Sequence, residues 1–258
     1  MICNCSKFLY SIALVMAPTL AAGAAIIDFD PPMYKVGNLA GQVEWQQREG
    51  TADFITILGP EGGSISGFSS ASIHGPGGSA YRKELAGFGT DGTAAHDVNI
   101  RFLYRKTQRA GFGGLSISGD GLGDSSAGVR VNETAIEALT TGGSYVNLRK
   151  YNINDVVEFS LDIDLDTSIY HLSMRNESAK ETEFTRLTET PLVFQVPLAA
   201  ADNMAIMISG QDGQSIYDEI RLDGANPAVP LPLPPAAFLF GIGLGFLGLV
   251  PRSLRQNE

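Results

Sequence analysis

The chain has 258 residues, 44% of them hydrophobic, with 30 glycines, two cysteines and a formal net charge of −10. That acidity opposes binding to nucleic acid and to anionic lipid. Both cysteines, Cys3 and Cys5, fall at the extreme front. The rest of the chain therefore has no disulfide, no thiolate nucleophile and no cysteine-based metal site.

Residues 1–7 are short and weakly positive, residues 8–17 are an apolar run, and small residues follow at 20–25. This is the order of a secretory signal peptide, with cleavage after Ala24 or Ala25. Ten apolar residues are too few to span a bilayer, which needs about 20. No cysteine follows the small residues, so a lipid anchor is not indicated. Residues 1–25 are thus read as a leader and 26–224 as an exported domain. Setting aside Lys7, Arg252, Arg255 and Glu258 removes three of the 18 basic and one of the 28 acidic residues, leaving a balance of −12. Such a charge keeps an exported domain soluble and attracts divalent cations. About 200 residues are ample for a core held by packing alone.

Many short alternating runs and few helical patterns predict an all-β domain. Residues 26–30 fit a first strand, and 53–58 and 97–105 are clear ones. In the latter, Val98, Ile100, Phe102 and Tyr104 share one face and Asn99, Arg101 and Arg105 the other, with Leu103 breaking the polar face. The glycine-rich stretch 59–92 reads as long surface loops. A short strand is expected at 113–118 and a polar loop at 119–128. Residues 135–139 fit either a helical turn or a strand.

The best-specified unit is a hairpin over 156–175. Val157, Phe159, Leu161, Ile163 and Leu165 alternate with Glu158, Ser160, Asp162, Asp164 and Asp166. With Thr167 and Ser168 as a two-residue turn, Leu165 faces Tyr170, Ile163 faces Leu172 and Leu161 faces Met174. On the wet side Asp164 then faces His171, Asp162 faces Ser173 and Ser160 faces Arg175. A one-residue slip would bury the aspartates. The turn lacks the glycine that tight hairpins prefer, which also admits a longer loop. Strands at 192–196, 203–209 and 215–222 complete the domain. About a dozen short strands, most apolar on one face, make a two-layer antiparallel β-sandwich of jelly-roll kind the economical architecture.

The last 30 or so residues are organised differently. A proline-punctuated linker, 225–235, contains Val229, Pro230, Leu231, Pro232, Leu233, Pro234 and Pro235, and Ala236 opens an uncharged run to residue 250. Pro234 and Pro235 suit the first turn of a helix, and Pro251 ends it. Fifteen helical residues rise about 22 Å, short of a hydrocarbon core of about 30 Å. Residues 236–250 are therefore read as a marginal transmembrane helix. Residues 251–258 form a tail whose Arg252 and Arg255 would stop transfer on the cytoplasmic side.

This order of proline motif, glycine- and leucine-rich run and arginines resembles the PEP-CTERM class of sorting tails of Gram-negative bacteria, in the variant beginning Val-Pro-Leu-Pro-Ala. Here the proline motif is stretched and the arginine cluster reduced to two. The resemblance implies that the tail holds the protein transiently in the inner membrane. An exosortase, a membrane cysteine peptidase, then cuts near the proline motif and the domain passes to the cell surface or the extracellular matrix. The domain itself loosely resembles concanavalin-like jelly-roll sandwiches, through its strand number, central hairpin and closing strand. That likeness implies a non-catalytic binding or structural module associated with extracellular polysaccharide. The rival it implies is a secreted glycan-active enzyme on the same fold.

Candidate chemistry is sparse. Asp162, Asp164 and Asp166 stand on one strand face about 7 Å apart, with Asp120 and Asp124 in the glycine-rich loop. They offer hard oxygen ligands for Ca²⁺, though too widely spread to chelate one ion alone, or else a charged strand edge that resists aggregation; no other cofactor is indicated. Three histidines, His74, His96 and His171, occur without a zinc-protease or nucleophile-elbow motif. Asp218, Glu219 and Glu158 are acids in strands that nothing in the sequence pairs. For a sugar platform the aromatic candidates are Trp45, the only tryptophan, beside Glu44 and Gln46, together with Tyr34, Tyr81 and Tyr145 in or near loops. Trp45 equally suits a half-buried core position.

Overall fold

Period-two alternation drives this chain into strands, and its computed structural model contains seventeen of them among the described residues: 25–49, 55–59, 63–67, 69–75, 79–85, 97–119, 125–198 and 204–223. In chain order they are β1 (Ala25–Ile27), β2 (Gly37–Asn38), β3 (Gln46–Glu49), β4 (Ile55–Leu58), β5 (Ser70–Gly75) and β6 (Ser79–Leu85). Next come β7 (Asp97–Lys106), β8 (Phe112–Ser118), β9 (Ala127–Asn132), β10 (Ala135–Leu139) and β11 (Tyr145–Lys150). The remainder are β12 (Val156–Asp164), β13 (Ile169–Asn176), β14 (Thr185–Arg186), β15 (Leu192–Val193), β16 (Met204–Gln211) and β17 (Gly213–Asp223). No helix among the described residues is long and apolar enough to cross a membrane. Residues 1–24 of the expected leader and the whole expected sorting tail lie outside the described residues.

The strands form two antiparallel sheets. The first runs β14-β13-β12-β7-β17-β5-β4-β2, with β1 also on β17 and β15 on β13; the second runs β11-β10-β9-β8-β16-β6-β3. The sheets enclose one core, to which Ile100, Phe102, Phe159, Tyr104 and Tyr217 contribute from the first and Leu115, Ile117, Val129, Ile206 and Ile208 from the second. The described residues form a two-layer, all-β sandwich of jelly-roll kind.

Tyrosine hydroxyls pin the layers together. Tyr217 donates from the first sheet to the carbonyls of Gly114 and Ser209 in the second, at 3.0 and 2.6 Å. Tyr170 donates to the carbonyls of Gly128 and Leu139. Burial pushes the Tyr170 and Tyr217 hydroxyls above the usual tyrosine range, so both remain donors. The close approach depends on Gly113, where an added Cβ would stand 1.9 Å from Ser215 Oγ. Lys106, 1% exposed, donates through Nζ to the carbonyls of Arg109, Gly111 and Glu133, and burial lowers its pKa to about 8.

Two expectations are corrected and one open alternative is decided. The glycine-rich stretch is not all loop: it contains β5 and β6, both inside their sheets. Strand β5 escapes notice because it is built of serines, of which Ser70 and Ser72 are fully buried and bonded to β17. Residues 135–139 form a strand. Third, the central hairpin pairs two residues out of the expected register, with Leu161 opposite Leu172, Asp162 opposite His171 and Glu158 opposite Arg175. The faces survive because the shift is even. Its cause is a four-residue turn, 165–168, in place of two. Ser168 adopts φ 55° there, and Asp164 accepts from the Thr167 amide at 3.0 Å and from its hydroxyl at 2.6 Å.

Candidate functional site

On the outer face of the first sheet the β7 side chains run Asn99, Arg101, Leu103, Arg105, so Leu103 is an apolar step in a polar row. Its cross-strand neighbours are Glu158 on β12 and Asp218 on β17. At that level β17 carries a bulge: pairing jumps from Asp218–Leu103 to Arg221–Arg101, and Glu219 takes φ 44°. The inward residues are Tyr217 and then Ile220, so two carboxylates fall in succession where a regular strand has one.

Around Leu103 lies a cleft of about 330 Å³. Ile65 and Val156 join Leu103 in its apolar lining, and Ser66, Glu158, Glu177, Glu219, Arg175 and Arg221 supply the polar walls. Arg175 Nη2 is 2.5 Å from Glu158 and 2.7 Å from Glu177. Phe184 packs under the same guanidinium, 5.1 Å from ring centroid to Cζ. Arg221 pairs with Glu219. The Nε atoms of Arg175 and Arg221 are buried and have no hydrogen-bond partner among the described residues. The two-residue shift in hairpin register is what sets Arg175 opposite Glu158, since the tighter turn would have paired it with Ser160.

Asp218 lies beneath the cleft wall and is fully buried. Its Oδ2 accepts from the Ser70 hydroxyl at 2.8 Å and from the Ser66 amide and hydroxyl at 3.0 Å, while Oδ1 accepts from the Glu219 amide at 2.9 Å. Burial raises its pKa to about 6, although those hydrogen bonds pull the other way. Ser66 belongs to segment 63–67, which crosses this part of the sheet. Arg105 holds the Gly63 carbonyl, and Asp30 accepts from the Ser69 amide at 2.7 Å.

The residues singled out from sequence are distributed otherwise. Trp45 and Tyr34 are core residues, 1% and 4% exposed, and Trp45 Nε1 donates to Tyr34 Oη at 3.0 Å. With Phe29, 5.1 Å from Tyr34 and 6.0 Å from Trp45, they form an aromatic plug that offers no open ring to a sugar. The backbone of Tyr81 lies in β6, opposite Ile208 and Gln47. Tyr145 is stacked under Arg130, whose Cζ is 3.6 Å from the ring centroid. Asp162 accepts from Asn99 and Asp164 caps the turn. Asp166 lies in that turn and not on the strand face, so the three aspartates do not line up as expected. Among the described residues no group of three His, Cys, Asp or Glu side chains could hold a metal ion. Asp120, Asp124 and the whole sorting tail lie outside them. The cleft residues were missed as a group, although two signs were legible: Leu103 on a polar face, and a spacing of three between the inward Tyr217 and Ile220.

No protein-family model matches the chain, and no curated protein matches it. Among solved structures it is similar to lectin II from Ulex europaeus, at 9% identity, covering 78% of this chain and 97% of that one with a TM-score of 0.49. A peanut lectin with a bound 9-residue peptide gives 10% identity, the same coverages and a TM-score of 0.49. A sialidase gives 11% identity and a TM-score of 0.48; the match covers 80% of this chain but only 18% of that one. Likeness at this level says nothing of a ligand.

Proposed function

We propose that this is an exported bacterial surface protein whose β-sandwich is a non-catalytic binding module for extracellular polysaccharide. In this reading the leader 1–25 directs export. The tail, from Val229 to the pair Arg252 and Arg255, holds the protein in the inner membrane until an exosortase-type enzyme cuts near the proline motif. The observation that carries the binding role is the cleft floored by Leu103. Apolar floor and hydrogen-bonding walls are the composition that small hydroxylated ligands require, and about 330 Å³ suits one or two sugar units. Arg175 and Arg221 bring guanidinium groups to the walls, and Glu158, Glu177 and Glu219 offer acceptors. Three acids against two bases disfavour an anionic sugar.

The rival reading, a glycan-active enzyme, draws on Glu158 and Glu219 standing on either side of Leu103. Against it, each glutamate is clamped by its own arginine, and Asp218, whose raised pKa would suit an acid catalyst, is sealed from solvent. Mass spectrometry of the mature protein recovered outside the cell tests the delivery route. We expect an N-terminus at residue 25 or 26 and no peptide from 236–255. Recovery of that apolar stretch on the surface form would refute processing.

A further inference from the structure

We infer that Arg130, on the outer face of the second sheet, is a preset fork for the carboxylate of an acidic sugar, at a site separate from the Leu103 cleft. The inference does not rest on the role of that cleft, which lies on the outer face of the other sheet. Within the second sheet Leu115, Val129, Ile136 and Ile208 point into the core. By alternation Ser209, Gly114, Arg130, Glu137 and Asn147 are the outward residues of one cross-strand row, and Phe112 and Asn132 belong to the next. Arg130 is held by three neighbours. Its Cζ lies 3.6 Å from the ring centroid of Tyr145 and 5.4 Å from that of Phe112, and its Nε donates to Glu137 Oε2 at 2.6 Å. Asn132 steadies the other oxygen of Glu137 at 3.4 Å. Gly114 leaves the arginine room, since an added Cβ there would stand 2.8 Å from Arg130 Cβ.

Stacking on Tyr145 takes up a flat face of the guanidinium, whereas hydrogen bonds leave from its edges. Glu137 takes the Nε–H. Both Nη atoms have no hydrogen-bond partner among the described residues and are not sealed from solvent. In the cleft, by contrast, Arg175 gives its Nη2 to two glutamates. The remaining pair of Nη–H groups matches the two oxygens of a carboxylate, and an arginine already immobilised loses little side-chain freedom on binding. Charge and polarity indicate the ligand class. Strands β8 to β11 carry Arg130, Arg149 and Lys150 against one acid, Glu137, with Glu133 in the β9–β10 turn, in a chain whose net charge is −10. An anion is therefore drawn to this region and repelled by the rest. Asn132, Asn147 and Ser209 supply donors and acceptors for sugar hydroxyls. The row from Ser209 to Asn147 holds no aliphatic side chain to anchor a peptide.

The test is an NMR titration of the full chain at physiological salt, where screening suppresses non-specific attraction. Trigalacturonate is the acidic sugar, maltotriose the neutral control and triglutamate the acidic-peptide control. The reporters are the Arg130 Nε–H and the Asn147 amide. We expect trigalacturonate to shift both signals and the two controls to shift neither. Arg130→Lys keeps the charge but not the fork, and should weaken binding at least fivefold; Arg130→Gln should weaken it further. Should Arg130→Gln not fold, Arg130→Lys decides. Leu103→Ser, which alters the cleft, should bind trigalacturonate as the wild type does, so failure of this site and failure of the cleft reading are told apart. Reporters unmoved by trigalacturonate, equal shifts with maltotriose or triglutamate, or wild-type affinity in Arg130→Lys would overturn the fork.

Discussion

Ionising a carboxyl group that has no exposure to solvent costs free energy that the unfolded chain does not pay, and Asp218 is the group to which this applies. Its folded pKa of about 6 lies above its ordinary 3.8. The folded state therefore binds its proton more tightly than the unfolded state. The stabilisation is fully present below about pH 4 and is lost as pH rises through 6. A shift of this size corresponds to about 3 kcal/mol. Unfolding free energies from urea titrations between pH 4 and 7 should fall with rising pH by an amount of that order, and Asp218→Asn should flatten the dependence. An unchanged slope in the variant would place the titration elsewhere. Trp45 yields the opposite kind of prediction. Buried and bonded to Tyr34, it works for the core, so Trp45→Phe should cost about 1–3 kcal/mol in stability. Retention on a polysaccharide should be unaffected; a loss of retention without loss of stability would restore Trp45 as a sugar platform.

At the scale of elements, the approach of β8 to β17 depends on a side chain that is absent. Gly113→Ala would drive a methyl group to within 1.9 Å of Ser215 Oγ and 2.9 Å of Tyr104 Oη. Overpacking of this kind costs about 1–3 kcal/mol, so thermal melting should drop by several degrees with the fold retained. A melting temperature at the wild-type value would mean that the layers yield easily there. Strands with apolar alternation, such as β7, β12, β16 and β17, were legible in the sequence because one face must be buried. Strand β5 was not, since its inward Ala71 and Ile73 are flanked by serines whose burial depends on distant partners, Asp218 and Gln214. Hairpin faces were legible and the register was not: alternation fixes parity alone, and the turn that decides the rest is stabilised by Asp164 and by a serine at positive φ. The same gap hid the candidate site, because Glu158 meets Arg175 only after the register moves by two.

For the whole molecule, the functional reading joins an address to a surface. The leader and the proline-rich tail are local patterns, readable without a fold. The cleft is not, since it draws on segment 63–67, on β7, on the β12–β13 hairpin and on β17, which are far apart in the chain. Leu103 is where these meet, opposite Glu158 on one side and the bulge on the other. It lies on the outer face, so changing it alters the cleft floor without opening the core. The most direct measurement is affinity electrophoresis of the protein through gels containing extracellular polysaccharide of the producing cells, beside a Leu103→Ser variant of matched melting temperature. Retardation of the wild type, reduced at least fivefold in the variant, is the result predicted. Equal retardation of the two proteins, or none for the wild type, would contradict the assignment of this cleft as the binding site.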